Sequence, residues 1–430
     1  MKILFLADLV FEDHAGGSRV VARELASGLI RRGHDVTFLV RAGKDNLSSE
    51  TVLGGAKVVR FAAPGSALGY IKAAREACAK LLSEQSFDIA HTHFAYSAVG
   101  PLQVIPEDMP HIRSFYGPWH AEGLVEDRKK LDDRRRESRS PRQAAACAAA
   151  FAAMHARFAL RANVERRNLR RSQVAVVLSE QSRQEVLELG FPADSIIKAP
   201  GGTDTDAFHL LPGKTAGKLA VRRELGLPED GQVLLSIRRL APRMGLDKLI
   251  QAMPEIIARC PDACLVIGGT GPEESRLRAL VQTLNLENHV RLAGFIPAEK
   301  LVSYYQAADL FVLPTLALEG FGLVTTEALA CGLPVIGTPI GATPEILTPL
   351  DRRLIAQSSH PHCLAEAVAD YLSGTWRHTL TPQHLHDYVR KHYTWERHVL
   401  RIEEVYTSLL RTRSLQFDFR PAPHHMLISK

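Results

Sequence analysis

One stretch in the last third of the chain, residues 314–339, restricts the fold more than any other. It reads PTLALEGFGLVTTEALACGLPVIGTP and places two acids, Glu319 and Glu327, eight residues apart. A Gly-Phe-Gly turn at 320–322 lies between them. The next residues predict a helix over 323–331, because the glycine and proline that follow are typical helix stops. The apolar pair Val335 and Ile336 then predicts the start of a strand.

This turn and the helix after it suit a phosphate group. Free backbone N–H groups and the positive end of the helix dipole both favour an anion at a helix N-terminus. Glu327 lies about one turn into the helix, where an ionised carboxylate can accept two hydroxyl donors, as from a ribose diol. Glu319, just before the turn, would lie beside whatever group the phosphate carries. The stretch therefore predicts a binding site in the order sugar, phosphate, ribose.

The same stretch resembles the E-x7-E signature of retaining nucleotide-sugar glycosyltransferases of the GT-B fold, family-4 type. The alternative is an ordinary helix start, with Glu319 in a loop and Glu327 on a solvated face. The resemblance covers about residues 2–410. It implies an α/β protein with two doubly wound, Rossmann-like domains that face each other across a cleft. The predicted divisions are an acceptor-side domain 1–208, a linker 209–218, a donor-nucleotide domain 219–392, a returning helix 393–412 and a tail 413–430.

The N-terminus predicts a nucleotide-type α/β unit. A strand over 3–8 leads to the polar, glycine-rich turn 12–17, and a helical run ends at Gly33. Glycine lets a backbone approach a ligand closely because no Cβ stands in the way. In the family, the matching loop faces the donor diphosphate and the acceptor, which implies that role for Gly16 and Gly17.

A second motif begins at Arg238 and resembles the family's G-R-L-x-x-x-K-G, whose arginine and lysine hold the donor diphosphate. Arg239 matches the arginine, whereas Met244 stands where lysine is expected. Arg243 is adjacent, and a guanidinium can bind phosphate oxygens in two places. We therefore predict Glu319, Arg239 and Arg243 as catalytic residues. The alternative for the arginines is a charged surface at a strand end.

Further donor-binding residues follow from the resemblance. Tyr116 stands where the family has a histidine at the donor sugar, and His120 follows four residues later. Phe295 and Ile296 match the place where the family's backbone pairs with the base. The full predicted donor-binding set is Gly16, Gly17, Tyr116, His120, Arg239, Arg243, Gly271, Phe295, Ile296, Glu319, Gly320, Phe321, Gly322, Leu323, Val324 and Glu327.

Two patterns allow a metal site, but neither is favoured. His91 and His93 would share one face of a strand, a possible metal pair; the family has the same D-I-x-H-x-H strand end and binds no metal there. Asp204 and Asp206 form a D-x-D, which matches a turn between the family's domains. We expect no metal and no cofactor, with the nucleotide sugar as co-substrate. The six scattered cysteines predict reduced thiols in a cytoplasmic protein.

Residues 124–171 form the most unusual segment. Residues 120–171 include fourteen Lys/Arg and seven Asp/Glu. The net charge of this segment is therefore +7, in a chain of net charge +6. Alanine-rich composition and Pro141 predict two helices. The segment is either a solvated helix pair or a basic ridge that contacts an anionic acceptor or an anionic membrane. Nucleic acid is not expected, because no aromatic residues interleave the arginines.

The resemblance implies a hexosyltransferase that moves a hexose from a UDP- or GDP-type donor to an alcohol or glycan acceptor and keeps the anomeric configuration. Three alternatives stay open: a phosphorylase, an epimerase and a non-catalytic sugar-nucleotide-binding relative. No apolar run approaches the roughly 20 residues of a membrane span. We therefore expect a cytoplasmic enzyme, with a peripheral position at the inner membrane face as a further hypothesis.

Overall fold

Short apolar runs form the strands of two sheets in the computed structural model of the chain. The first sheet contains strands β1 to β8: Lys2–Leu6, Asp35–Arg41, Glu50–Leu53, Ala56–Phe61, Ile89–Thr92, His111–Phe115, Val174–Val177 and Ile196–Lys198. The second contains β9 to β13: Gln232–Ile237, Ala263–Gly268, Val290–Gly294, Leu310–Leu313 and Val335–Gly337. The structure describes residues 1–10, 16–43, 50–63, 65–137, 140–212, 214–374, 376 and 379–418.

The first sheet has the strand order β3-β4-β2-β1-β5-β6-β7-β8. β1 pairs in parallel with β2 and β5, with Phe5 opposite Phe38 on one side and His91 on the other. β3 is antiparallel to β4. Strands buried on both faces consist of nearly continuous apolar residues, and Ile3 to Leu6 are almost completely buried.

The second sheet has the order β11-β10-β9-β12-β13, and every pairing is parallel. Parallel neighbours require crossover connections, which helices provide here. In such sheets ligands bind beyond the carboxyl ends of the strands. The loops that follow β9, β10 and β12 leave the sheet at that edge, and they contain the Arg239, Gly271 and Glu319 motifs.

Fourteen α-helices lie within the described residues. They are α1 to α14: Gly17–Arg31, Ala67–Glu84, Trp119–Glu137, Pro141–Arg171, Glu180–Glu188, Lys214–Glu224, Leu246–Arg259, Glu274–Thr283, Ala298–Ala307, Leu323–Ala330, Thr343–Leu347, Pro361–Leu372, Pro382–His392 and Trp395–Asp418.

The described chain forms two compact units. The first contains Met1–Ser114, Arg167–Val176 and the chain from His398 onward; the second contains Phe115–Arg166 and Val177–Arg397. Gly16 and Gly17 therefore lie in the first unit, and every other predicted site residue lies in the second. The domain boundaries given by the sequence stay predictions.

Most predicted elements are present, including the helix pair separated at Pro141 and the helix after the Gly-Phe-Gly turn. Three elements differ from the expectations. β3 was not predicted, α6 begins at Lys214 within the predicted linker, and α14 continues to Asp418, beyond the predicted end of the returning helix at residue 412. Parts of the predicted N-terminal turn (11–15), basic segment (138–139) and tail (419–430) lie outside the described residues.

Candidate active site

The turn before α10 has an unusual backbone. Gly322, the N-cap residue of α10, has φ 82°, in the left-handed region that favours glycine. Leu318 also has a positive φ of 59°, which is rare for a residue with a Cβ. A Cβ on Gly320 would collide with the carbonyl oxygen of Tyr116, and a Cβ on Gly341 would collide with the backbone of Glu319. Tight packing on both sides therefore fixes the path of the turn.

The Glu319 side chain is held by a buried arginine and a threonine. Arg238 Nη2 donates to Glu319 Oε2 at 2.7 Å, and Arg238 Nη1 donates to Thr315 Oγ1 at 2.7 Å. Thr315 Oγ1 donates in turn to Glu319 Oε2 at 3.2 Å. The two charged side chains are 5% and 13% exposed. Burial lowers the pKa of Arg238, while the Glu319 charge acts in the opposite direction.

Arg243 lies on the other side of the same turn. Its Nη1 donates to the Leu318 carbonyl at 2.7 Å, and its Nη2 forms a 3.0 Å ion pair with Glu122 of α3. The side chain is 14% exposed. Met244, at the position where the family motif has lysine, is buried. Gly245, the N-cap residue of α7, has φ 71°, and a Cβ there would collide with the Pro314 carbonyl.

Glu327 has a different environment from Glu319. It is partly exposed on α10, and Tyr305 of α9 donates a hydrogen bond to its Oε2 at 2.9 Å. Burial raises the Glu327 pKa to about 7, and the Tyr305 hydrogen bond opposes this shift. A carboxylate with one neutral donor and no ion pair among the described residues can exchange that donor for ligand hydroxyls.

The other predicted residues of the second sheet lie on its connecting loops. Arg239 is exposed directly after β9. A Cβ on Gly271 would collide with the Leu240 carbonyl, so the β10–α8 turn lies against the Arg239 loop. Phe295 follows β11 with 70% exposure, an unusual position for a large apolar side chain. Ile296 beside it packs toward Gly268.

Tyr116 and His120 lie near the start of α3. The Tyr116 main chain contacts the Gly320 turn, as described above. His120 is buried, with its ring 5.1 Å from that of Phe158 in α4. Burial and then the Arg166 charge lower its pKa, which favours the neutral ring. Its Nδ1 has no hydrogen-bond partner among the described residues.

Gly16 and Gly17 begin α1. Gly16 is the N-cap residue, and no side chain caps the helix. A Cβ on Gly17 would meet no atom within 4 Å among the described residues. The open space beside Gly17 and the absence of a side-chain cap among the described residues are compatible with a ligand at this helix start.

The histidines of the possible metal pair are buried in the first unit. His91 Nδ1 bonds with the Tyr406 hydroxyl at 2.6 Å, and His91 Nε2 bonds with the Ser114 hydroxyl at 2.8 Å. Both ring nitrogens of His91 therefore have hydrogen-bond partners, in agreement with the interpretation that this pair binds no metal. Asp204 Oδ1 accepts from the backbone of Asp206 and Ala207, as in a turn. Within the described ranges, no group of three His, Cys, Asp or Glu could hold a metal ion. Metal independence stays a prediction.

Four residues of the site were not predicted: Arg238, Thr315, Tyr305 and Glu122. Arg238 stands beside the arginine that matches the motif, so only one of the pair was assigned. The acid of α3 and the tyrosine of α9 are distant in sequence from the residues they contact, and no local pattern indicates such contacts.

Comparison with solved structures identifies the fold. The chain is similar to sucrose-phosphate synthase from Thermosynechococcus elongatus, with a TM-score of 0.77 and 23% identity over 96% of this chain and 99% of that one. Two family models also match: Glycosyltransferase Family 4 over residues 15–207 and Glycosyl transferases group 1 over residues 218–392. The chain belongs to the GT-B glycosyltransferases. The predicted fold class and GT-B glycosyltransferase family are confirmed, and the retaining mode stays a prediction.

Two groups of relatives are among the proteins that this GT-B glycosyltransferase matches. A GDP-mannose-dependent monoacylated α-(1-6)-phosphatidylinositol monomannoside mannosyltransferase of Corynebacterium glutamicum is 34% identical over 46% of this chain and 52% of its own length. A D-inositol 3-phosphate glycosyltransferase of Corynebacterium urealyticum is 28% identical over 92% of this chain and 91% of its own. The chain thus spans about half the length of the mannosyltransferases that it matches. In the part of the chain that the structure describes, no helix has the length and apolarity to cross a membrane.

The ribose role predicted for Glu327 can be tested by substitution. Each hydrogen bond to a charged group contributes roughly 1.5–3 kcal/mol, so Glu327→Ala should weaken nucleoside-diphosphate binding about tenfold or more. The pKa of the Glu327 carboxyl is about 7. The nucleotide affinity of the native protein should therefore fall as the pH drops below about 7 and this carboxylate becomes protonated. Glu327→Gln should remove the part of this pH dependence that comes from Glu327 and leave the part that comes from titration of the nucleotide phosphate at about pH 6.

Calorimetric titration with GDP and UDP at pH 6 and pH 8 measures both effects. Glu287→Ala, which removes an exposed acid from a loop, is the matched control. Unchanged nucleotide affinity in Glu327→Ala would exclude the assignment.

Proposed function

We propose that this GT-B glycosyltransferase moves a hexose from a nucleoside-diphosphate sugar to an alcohol acceptor and keeps the anomeric configuration. The observation that carries the proposal is the arrangement at α10. An uncapped helix N-terminus has one carboxylate before it, fixed by Arg238, and a second carboxylate one turn inside it. That order fits the transferred sugar, the diphosphate and the ribose.

The diphosphate is the group on which charge develops. When the bond between C1 of the sugar and the phosphate oxygen breaks, the phosphate leaves as an anion. Cations and backbone N–H groups that interact more strongly with this anion lower the barrier. In the proposal, Arg239, Arg243 and the amides at 321–323 supply these interactions. Protein cations then perform the role that a metal has in other phosphate sites.

The acceptor is proposed to attack from the same face that the diphosphate leaves. The acceptor hydroxyl forms the new bond to C1, and its proton passes to the departing phosphate oxygen. Glu319 binds hydroxyl groups of the transferred sugar, and Glu327 binds the ribose. This front-face mechanism is the one implied by the family resemblance, and it accounts for retention without a covalent intermediate.

The names of the relatives narrow the substrates to be tried first. The mannosyltransferases are GDP-mannose-dependent, so GDP-mannose is the first donor, with UDP-sugars as the alternative. Both groups of relatives are named for an inositol compound that bears phosphate. We propose an acceptor of that class, an inositol phosphate or its lipid.

The direct test is release of GDP from GDP-mannose, measured with and without inositol 3-phosphate. A glycosyltransferase should release GDP at least tenfold faster with the acceptor, and the released sugar should appear on inositol. Release that inorganic phosphate stimulates would indicate a phosphorylase, and release in water alone would indicate a hydrolysing epimerase. Binding of GDP-mannose and UDP-glucose without any release would indicate a non-catalytic relative.

Arg243 is proposed to replace the lysine that the family motif has at the position of Met244. Its guanidinium already donates a hydrogen bond to the Leu318 carbonyl in the turn, and it also forms an ion pair with Glu122 of α3. Loss of one contact to a charged phosphate costs roughly 1.5–3 kcal/mol, so Arg243→Ala should lower kcat/KM for the donor at least tenfold. Adding Met244→Lys to Arg243→Ala should restore most of this loss.

Steady-state kinetics of Arg243→Ala, Met244→Lys and the double variant measure the effect. Arg278→Ala, which removes an exposed arginine of α8, is the control. Near-native kcat/KM in Arg243→Ala would contradict the proposal and leave Arg239 with the backbone amides as the phosphate contacts.

The basic segment is proposed to contact an anionic membrane. α4 contains a single acid, Glu165, which is buried, while Arg142, Arg166, Arg167 and Arg170 are exposed. The charge that this helix presents to solvent is therefore positive. A lipid-linked inositol acceptor would lie at such a surface.

Co-sedimentation with vesicles tests this contact. Each basic residue near an anionic surface contributes about 1 kcal/mol, so replacing Arg142, Arg167 and Arg170 by Gln should weaken binding on the order of a hundredfold at low salt. Replacing Arg352, Arg390 and Arg401, exposed arginines elsewhere, is a control with equal charge change. Equal binding to phosphatidylinositol-containing and neutral phosphatidylcholine vesicles would refute the membrane contact.

A further inference from the structure

Arg238 is a buried cation that the phosphate-binding role of its neighbours does not explain. Its side chain is 5% exposed, and its Nη atoms contact Glu319 and Thr315. Arg239, the next residue, is exposed. A guanidinium with so little accessible surface cannot serve as the main phosphate contact. Its two hydrogen bonds instead define the position of an acid.

The contacts around Glu319 are unequal for its two oxygens. Arg238 Nη2 and Thr315 Oγ1 both donate to Oε2, at 2.7 and 3.2 Å. Arg238 also donates to the Thr315 hydroxyl, which therefore has its hydrogen directed to Glu319. The three groups form a closed ring of hydrogen bonds centred on Oε2. No hydrogen bond to Oε1 is found among the described residues.

The backbone on either side restricts the same carboxylate. The Leu318 carbonyl accepts a hydrogen bond from Arg243, and Gly341 packs against the Glu319 backbone. The Thr315 carbonyl accepts a 2.6 Å hydrogen bond from buried Thr338. Glu319 is thus fixed at its main chain and at one of its two side-chain oxygens.

We propose that Arg238 is a positioning residue, which with Thr315 holds Oε2 of Glu319 so that Oε1 is directed at hydroxyl groups of the transferred sugar. This inference depends on the proposed function and adds a residue to it. Arg238 acts through Glu319 and does not touch the donor. Its loss should therefore impair use of the sugar while leaving the nucleoside diphosphate bound as before.

The test measures binding of the nucleoside diphosphate and turnover of the nucleotide sugar separately. The variants are Thr315→Val, Arg238→Lys and Arg238→Ala, and the measurements are the dissociation constant of GDP and kcat/KM for GDP release from GDP-mannose. We expect kcat/KM to fall about tenfold in Thr315→Val and more in Arg238→Ala, with GDP affinity within twofold of the native value. Guanidinium ion added to Arg238→Ala should restore part of the loss. Thr326→Val, which removes a buried hydroxyl bonded to Thr203 and Leu323, is the matched control.

Thr315→Val keeps the test valid if Arg238→Ala does not fold, because it leaves no unpaired charge. In Glu319→Gln, adding Thr315→Val should cause little further loss, because both changes act on one carboxylate. Native kcat/KM in Thr315→Val and Arg238→Lys would overturn the inference, and so would equal losses of GDP affinity and turnover. A native protein that binds GDP but does not release it from any nucleotide sugar would refute the proposed function instead, and the positioning role with it.

Discussion

The buried ion pair between Arg238 and Glu319 is the interaction on which the candidate site depends. Burying two charges is expensive, and the cost is offset only where geometry is good and the remaining donors find acceptors. Here Thr315 bonds to both partners, while the buried Arg238 Nε has no hydrogen-bond partner among the described residues. Removing one member of such a pair leaves an uncompensated buried charge, which is more damaging than never having had the pair. The pair therefore couples the end of β9 to the turn before α10.

That coupling explains why the turn can hold a strained residue. Leu318, with φ 59°, is in a conformation that side chains with a Cβ rarely adopt. Such a conformation persists only when the surroundings determine it from several sides. Arg243 holds the Leu318 carbonyl, Arg238 holds the next side chain, and Gly341 leaves no space for displacement. The two arginines thus share one structural task, whatever their separate roles toward a ligand.

The sequence predicted the α10 turn well because its signals are local. Glycines at 320 and 322 and a stop at Gly332 and Pro334 are read without tertiary information. The choice between Arg238 and Arg239 could not be made in that way. Both residues follow the end of β9, and the Arg238 side chain is buried whereas Arg239 is exposed. Which is which depends on the packing of Thr315 and Glu319, far along the chain. The C-terminal end of α14 was predicted too early for a simpler reason, because the sequence signals for helix boundaries are weaker than those for helix interiors.

The two acids of the signature are therefore unlike each other, although their spacing suggests a pair. Glu319 contacts a cation at one oxygen. Among the described side chains, Glu327 accepts a hydrogen bond only from Tyr305, and burial raises its pKa to about 7. A carboxylate already neutralised by arginine is fixed in place and suits orientation of a sugar. A carboxylate close to half-protonated near pH 7 gains more from two incoming hydroxyl donors, because they stabilise its charged form. In the proposed function, ribose binding at Glu327 is then linked to release of a proton. In the proposed arrangement, this difference in environment, more than the interval of eight residues, distinguishes the end that binds the nucleotide from the end that binds the sugar.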